Sequence, residues 1–228
     1  MTTSSFPEAT ARTAIRAVNP SLETQFLHVV RLLNASSSLR PTPRGKNSAS
    51  LTVPEYLSLL ANQFSSARSP RAPQKPQTIP DSVVGTILNG FYGIEPASLP
   101  TIAETHLLSM AAENVVGELL ERYIAQVLEP HGWVWCSGSV VRSVDFIFPS
   151  SSSAPPFLLQ IKNRDNSENS SSSAIRDGTS IEKWFRSFSK KPATNWGAFP
   201  NDAARGLLSE SGFNTFVRNY MHSLRPRK

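Results

Sequence analysis

Apolar positions recur every three to four residues through most of the first 130 residues, and then crowd into short dense runs. In Ser21 to Leu33, the residues Leu22, Phe26, Val29, Val30 and Leu33 share one helical face. Thr52 precedes Pro54, with Tyr56, Leu57, Leu60 and Phe64 following at helical spacing, which predicts an N-cap and a helix behind it. Asp81 caps a third predicted helix through Val84, Ile87, Leu88 and Phe91, ending near Gly93. The segments Ser36 to Ser50 and Ser65 to Pro80 lack apolar period, are basic and rich in serine and proline, and read as linkers. The longest periodic segment is Thr101 to Leu128, whose apolar face is Val116, Leu119, Leu120, Tyr123, Ile124 and Val127; Pro130 and Gly132 end it.

Beyond Gly132 the chain reads as strands. Trp133 to Val141 and Val144 to Phe148 are dense in valine, isoleucine and aromatics, and Ser150 to Pro156 is a turn. Phe157 to Ile161 is continuously apolar, as a strand buried on both faces would be. Asn163 to Ser173 reads as a loop and Ile181 to Phe188 as a helix. Thr194 to Phe199 is a weak further strand, and Phe213 to Leu224 is amphipathic before a basic tail. The order predicts an α/β fold, a central mixed sheet flanked by helices. Residues 1–100 form a basic helical region, and residues 101–228 a core with basic C-terminal helices.

Charge adds a partner to this picture. Residues 1–80 hold nine Lys and Arg against three acids, residues 81–180 five against eleven, and residues 181–228 nine against three. An acidic centre between basic flanks suits a metal site held by arms that contact phosphates, and double-stranded DNA is the first partner to consider. No apolar run is long enough to span a membrane, and Met1 to Thr13 lacks the layout of a signal peptide. The single cysteine, Cys136, leaves no internal disulfide and no thiolate cluster for zinc. A cytoplasmic protein is expected.

The chemistry concentrates at Asp145 and at Gln160-Ile161-Lys162. Strand alternation puts Gln160 and Lys162 on one face and turns Ile161 into the core. If the two strands pair through the Ser150 to Pro156 turn, Asp145 lies beside Gln160. An Asp, an amide and a Lys at one semi-buried strand end are costly unless they serve one another or a ligand. Oxygens from Asp145, the Gln160 side chain and the Ile161 carbonyl would suit Mg2+. Lys162 could orient or deprotonate an attacking water and offset phosphate charge. An Asp followed at this interval by Gln-x-Lys is common by itself; the preceding helix makes it specific.

Gly117-Glu118-Leu119-Leu120-Glu121-Arg122, Leu128-Glu129-Pro130-His131-Gly132, Ser137 and Asp145 resemble the start of the PD-(D/E)xK nuclease core. The segment is similar to archaeal Holliday-junction resolvases of that superfamily. Their first helix carries Gly-x-x-x-Glu, with a strand-opening Gly eleven residues later and the catalytic Asp thirteen beyond. Glu121, Gly132 and Asp145 keep both intervals. The resemblance, covering residues 113 to 164, implies Glu121 as the helix acid, Asp145 as the metal-bridging acid, and Gln160 with Lys162 as the Glu-x-Lys pair. Gln160 departs from the usual carboxylate, which removes a negative charge while keeping an oxygen ligand. Glu113 stays open as the helix acid. Glu118 points away from the apolar centre and reads as solvated.

Asn163, Arg164, Asp165, Asn166 and Ser167 follow the lysine directly and carry the donors and acceptors that read base edges and phosphates. Lys162 to Ser170, together with the chain length, resembles type II restriction enzymes of the SinI type, which recognise GGWCC. Arg176, Lys183, Arg186, Lys190 and Lys191 form a second basic group; Arg176, Lys183 and Arg186 join the candidate phosphate contacts, while the interleaved Trp184, Phe185 and Phe188 read as core. The resemblance implies a Mg2+-dependent, sequence-specific double-strand endonuclease leaving 5′-phosphate ends. A homodimer is expected for a palindromic site, with a cognate DNA methyltransferase as genetic partner and the N-terminal region embracing DNA or dimerising. A structure-specific nuclease and a non-catalytic DNA-binding protein are the alternatives.

Overall fold

The computed structural model describes residues 5–43, 51–79, 81–150, 154–166 and 179–225. Its α-helices are α1 (Glu8–Val18), α2 (Glu23–Ala35), α3 (Val53–Ser66), α4 (Ser82–Tyr92), α5 (Leu99–Leu128), α6 (Asp202–Arg205) and α7 (Glu210–Ser223). Four strands, β1 (Val134–Trp135), β2 (Phe146–Phe148), β3 (Phe157–Arg164) and β4 (Ile181–Ser187), form one sheet in the order β1-β2-β3-β4. The first two pairings are antiparallel and β3–β4 is parallel, so the sheet is mixed.

Local chemistry accounts for several element ends. Thr52 and Glu55 form a reciprocal capping box at α3, and Asp81 accepts from the Val83 N–H at 2.9 Å to open α4. Gly93, at φ +68°, closes α4, and Gly132, at φ +88°, turns the chain from α5 into β1. Helix α1 has no counterpart among the sequence-predicted elements.

The sheet has a core on each face. On one, Phe26, Val30, Leu33, Leu57, Leu60 and Phe64 of α2 and α3 meet Val134, Ile147, Leu158 and Ile181. On the other, Leu120, Ile124 and Leu128 of α5 meet Phe146, Leu159, Ile161 and Trp184, with Phe199, Leu208 and Phe213 closing the layer. Strand β3 is therefore covered on both sides, as its unbroken apolar run predicts.

Three predicted elements are corrected. Ile181 to Phe188 is not a helix: it contains β4, whose Ile181 to Ser187 run parallel to β3. Ile181 and Trp184 have helical spacing because they bury on opposite faces of a strand, one in each core. The predicted strand Trp133 to Val141 pairs only at Val134 and Trp135. After Cys136 the chain turns towards α3, where the Ser137 hydroxyl donates to the Phe64 carbonyl at 2.7 Å. Gly138 then lies so close to the Gln63 carbonyl that a Cβ would overlap it. Thr194 to Phe199 contributes only an isolated bridge from Thr194 to Ser187, then a 3-10 turn over Trp196–Ala198.

Candidate active site

Asp145 sits immediately before β2 and extends its ladder: its N–H donates to the Leu159 carbonyl at 2.9 Å, and its carbonyl accepts from Cys136 N–H at 2.8 Å. The β2–β3 register, Phe146 opposite Leu159, brings Asp145 across from Gln160. The carboxylate Oδ2 accepts the Ile161 N–H at 2.6 Å. Gln160 is buried, with Lys162 half-buried two residues on and therefore on the same face. Ile161 turns the other way, into the α5 core.

Glu121 arrives from α5. Its Oε2 accepts the Trp135 indole N–H at 2.9 Å, which holds the carboxylate over β1. Burial first, and the Asp145 charge second, push the Glu121 carboxyl up to about 8. Burial also pushes Asp145 up, to about 6, against the pull of the Ile161 N–H and the Lys162 charge. The Lys162 charge lowers both carboxyls, as the last of the causes acting on each. Two half-buried acids, one raised by the charge of the other, form a site that a further positive charge would relieve. The available donors are all hard oxygens: two carboxylates, the Gln160 amide and the Ile161 carbonyl. They fit a cation such as Mg2+. Among the described residues no cluster of three or more His, Cys, Asp or Glu could hold a metal. The amide and carbonyl oxygens would have to complete any ligand set.

The other candidates separate into groups. Glu113 is exposed on α5, two turns before Glu121. Glu118 is not simply solvated; it accepts from Arg122 at 2.7 Å and from Arg71 at 3.4 Å. The β3–β4 register sets Lys183 beside Gln160 and Phe185 beside Lys162. Arg164 is exposed and, with Lys190 and Lys191, lines a basic hollow of about 500 Å³ at the ends of β3 and β4. Asp165 accepts the Ser189 N–H at 2.8 Å, which holds its carboxyl below the usual carboxylate range. Asn166 is exposed. Asn163 and Arg186 face each other: Arg186 Nε donates to Asn163 Oδ1 at 3.0 Å, and its Nη1 to Glu210 at 2.6 Å. Arg186 thus commits two of its donors inside the protein. Ser167 and Arg176 lie outside the described residues. Trp184 is buried as expected, whereas Phe185 and Phe188, expected in the core, are half-buried and pack edge-on against each other; burial raises the Cys136 thiol.

Several residues around these groups carry no motif. A cleft of about 850 Å³ opens on Asp145 and is lined by Tyr56, Gln63, Ser139, Arg142 and Ser143 among others. Ser139 and Ser143 hold left-handed φ values of 55° and 58°, a conformation that costs a non-glycine residue on the order of 1–2 kcal/mol. Arg68, read from the sequence as a linker cation, instead donates two hydrogen bonds to Glu129, at 2.9 and 2.8 Å. Arg122 is buried and donates to the Ala67, Arg68 and Ser69 carbonyls. Together the two arginines fasten the end of α3 to the helix and strand that bear Glu121 and Trp135.

A mixed sheet with a helix acid, a strand acid and a lysine at one strand end defines an α/β fold consistent with that of restriction endonucleases. The chain matches the family described as SinI restriction endonuclease over residues 8–223. It is 46% identical over 215 residues to the type II restriction enzyme Eco47I of Escherichia coli, covering 94% of each chain. It is also 44% identical over 219 residues to the type II restriction enzyme SinI of Salmonella infantis, covering 96% of this chain and 95% of the relative. The chain belongs to the SinI restriction endonuclease family and is a type II site-specific deoxyribonuclease. No described helix is long and apolar enough to cross a membrane.

Proposed function

We propose that Glu121, Asp145, Gln160 and Lys162 form the active site of a Mg2+-dependent endonuclease that cuts both strands of DNA and leaves 5′-phosphate ends. One arrangement carries it: the β2–β3 register sets Asp145 across from Gln160, Lys162 shares the Gln160 face, and the half-buried Asp145 and Glu121 carboxyls are both raised by burial while the Lys162 charge pulls each down. Asp145, the Gln160 amide oxygen and the Ile161 carbonyl would hold the metal, which supplies charge neutralisation at phosphate and a water acidified for attack. Lys162 orients that water or takes its proton, and its charge offsets the negative charge building on the phosphate. The water oxygen forms the new bond to phosphorus as the bond to the 3′-oxygen breaks. The products are a 3′-hydroxyl and a 5′-phosphate.

DNA contacts are assigned to Asn163, Arg164, Asp165, Asn166 and Ser167 and to Arg176, Lys183 and Arg186. Arg164 and Lys183 are the best supported, because one is exposed at the basic hollow and the other lies beside Gln160. The basic N-terminal region helps embrace the duplex, and a homodimer meets the two halves of the site. GGWCC is the proposed target, with a cognate methyltransferase encoded nearby. The lone buried cysteine suits the cytoplasm. Digestion of a plasmid carrying GGWCC sites with Mg2+ present tests this reading. Discrete fragments ending in 5′-phosphate at those sites support it; an uncut plasmid, or fragments ending in 5′-hydroxyl, would overturn it.

A further inference from the structure

Helix α4 leaves its apolar side chains largely uncovered. Its eleven residues include no charge, and none of them is buried. Its Gly85 and Leu88 side leans on α5, where a Cβ at Gly85 would meet Leu99 at 3.5 Å. The rest faces outward: Val83, Val84, Ile87, Phe91 and Tyr92 are exposed, the last two at 80% and 66%. Ile79, just before the helix, is 93% exposed, and Leu108 and Met110 on α5 are exposed as well. Between the helices runs an apolar groove of about 580 Å³, lined by Val84, Leu88, Leu99, Ile102, Leu107 and Met110 among others. Such contiguous apolar exposure is uncommon on a monomer and marks a surface that something covers.

We infer that this face, α4 with the front half of α5, is where a second copy of the chain docks. Three features select a second copy. A two-fold interface lays a patch on itself, so any net charge there would meet its own likeness. Helix α4 itself offers none, and the nearby Glu104 is already paired with Lys75. The one acid lining the groove is Asp81 at the helix N-cap, where it accepts the Val83 N–H, and the groove's one imidazole is His106. The same patch carries protruding apolar side chains and a groove of matching character, as self-complementarity requires. The exposed apolar side chains present on the order of 1,000 Å², against the roughly 800 Å² per partner of a stable interface. No lysine or arginine lines the groove, so DNA would not select it. Gly90, with nothing within 4 Å of where its Cβ would stand, leaves room for another backbone at mid-patch.

The location ties assembly to cleavage. Helix α5 runs unbroken from the arm at Ile102 to Glu121, about 30 Å at 1.5 Å per residue. Each active site is therefore joined to the dimer interface by one rigid rod. This deepens the proposed homodimer, and its test needs neither metal nor DNA.

Sedimentation equilibrium of the full chain, with Ile87→Glu and Phe91→Glu variants, reads the interface directly. The wild type should sediment as a dimer and both variants as monomers, with unchanged circular dichroism because α4 buries no residue. A monomeric wild type, or a dimer that survives both substitutions, would overturn the inference. Hydrogen exchange on the wild type gives an independent reading: amides 82–92 should slow as protein concentration rises, and exchange independent of concentration contradicts the interface. Asp145→Ala should remain a dimer. If it is dimeric and still cuts DNA, the catalytic reading fails while the interface stands.

Discussion

The Trp135 indole donates to Glu121 Oε2 at 2.9 Å, so a strand residue on the first pairing of the sheet fixes the carboxylate that α5 contributes. That hydrogen bond lowers the Glu121 pKa against the larger opposing effects of burial and the Asp145 charge. Trp135→Phe removes the donor and keeps the ring. The Glu121 pKa should rise further, and the acid limb of the cleavage rate against pH should move to higher pH. A profile that keeps its position, measured under single turnover, would show that the indole only packs.

Stability should depend on pH in a direction set by the same two acids. Both have folded pKa values above their ordinary ones, so the folded protein binds more protons than the unfolded chain between about pH 4 and 8. The metal-free protein is then most stable at the acid side of that window, as far as these two groups decide it, and loses that contribution as pH rises through it. Glu121→Gln should raise the Tm at pH 8 and change little at pH 4. Mg2+ should raise the Tm more at pH 8 than at pH 5, because it replaces the missing protons with positive charge. Thermal melts at both pH values, with and without Mg2+, check each sign.

Gln160→Glu places a carboxylate opposite Asp145 and beside Lys183. It should preserve cleavage and lower the Mg2+ concentration needed for half-maximal rate. Metal titration of the cleavage rate measures this, and complete loss of activity would mean that Gln160 does not face the metal.

Arg68 is mostly buried, donating to Glu129, Ser137 and the Trp135 carbonyl. Arg68→Ala strands the Glu129 carboxylate, which typically costs about 3–5 kcal/mol for a buried pair, towards the lower end here because both partners keep some solvent. The expected fall in Tm is roughly 6–12 °C at 2–4 °C per kcal/mol for a chain of this size. A change under 2 °C in a melting experiment would show that water replaces the arginine.

Much of this site is legible in the sequence because its parts are local. Gly-x-x-x-Glu lies within two turns of α5, Gln160 and Lys162 share a strand face by alternation, and a short turn sets the Asp145–Gln160 pairing. The α3 capping box is equally local, written in Thr52 and Glu55. What escaped depends on contacts distant along the chain. β4 read as a helix because Ile181 and Trp184 face different cores, which no single-strand pattern reveals. Arg68 read as part of a basic linker because its partner is Glu129, sixty-one residues away. The cleft joins Gln63 to Arg142 only after α3 packs against the β1–β2 connection. The apolar period of α4 is correct as a helix, yet it marks a face that the chain's own core does not cover.

The most direct measurement compares Asp145→Ala and Lys162→Ala with the wild type on a GGWCC duplex, reading single-turnover cleavage and DNA binding side by side in Mg2+. Each variant should lose cleavage by at least 10²–10⁴-fold, the range for removal of a positioned acid–base group, and still bind the duplex. Wild-type turnover in either would contradict the site.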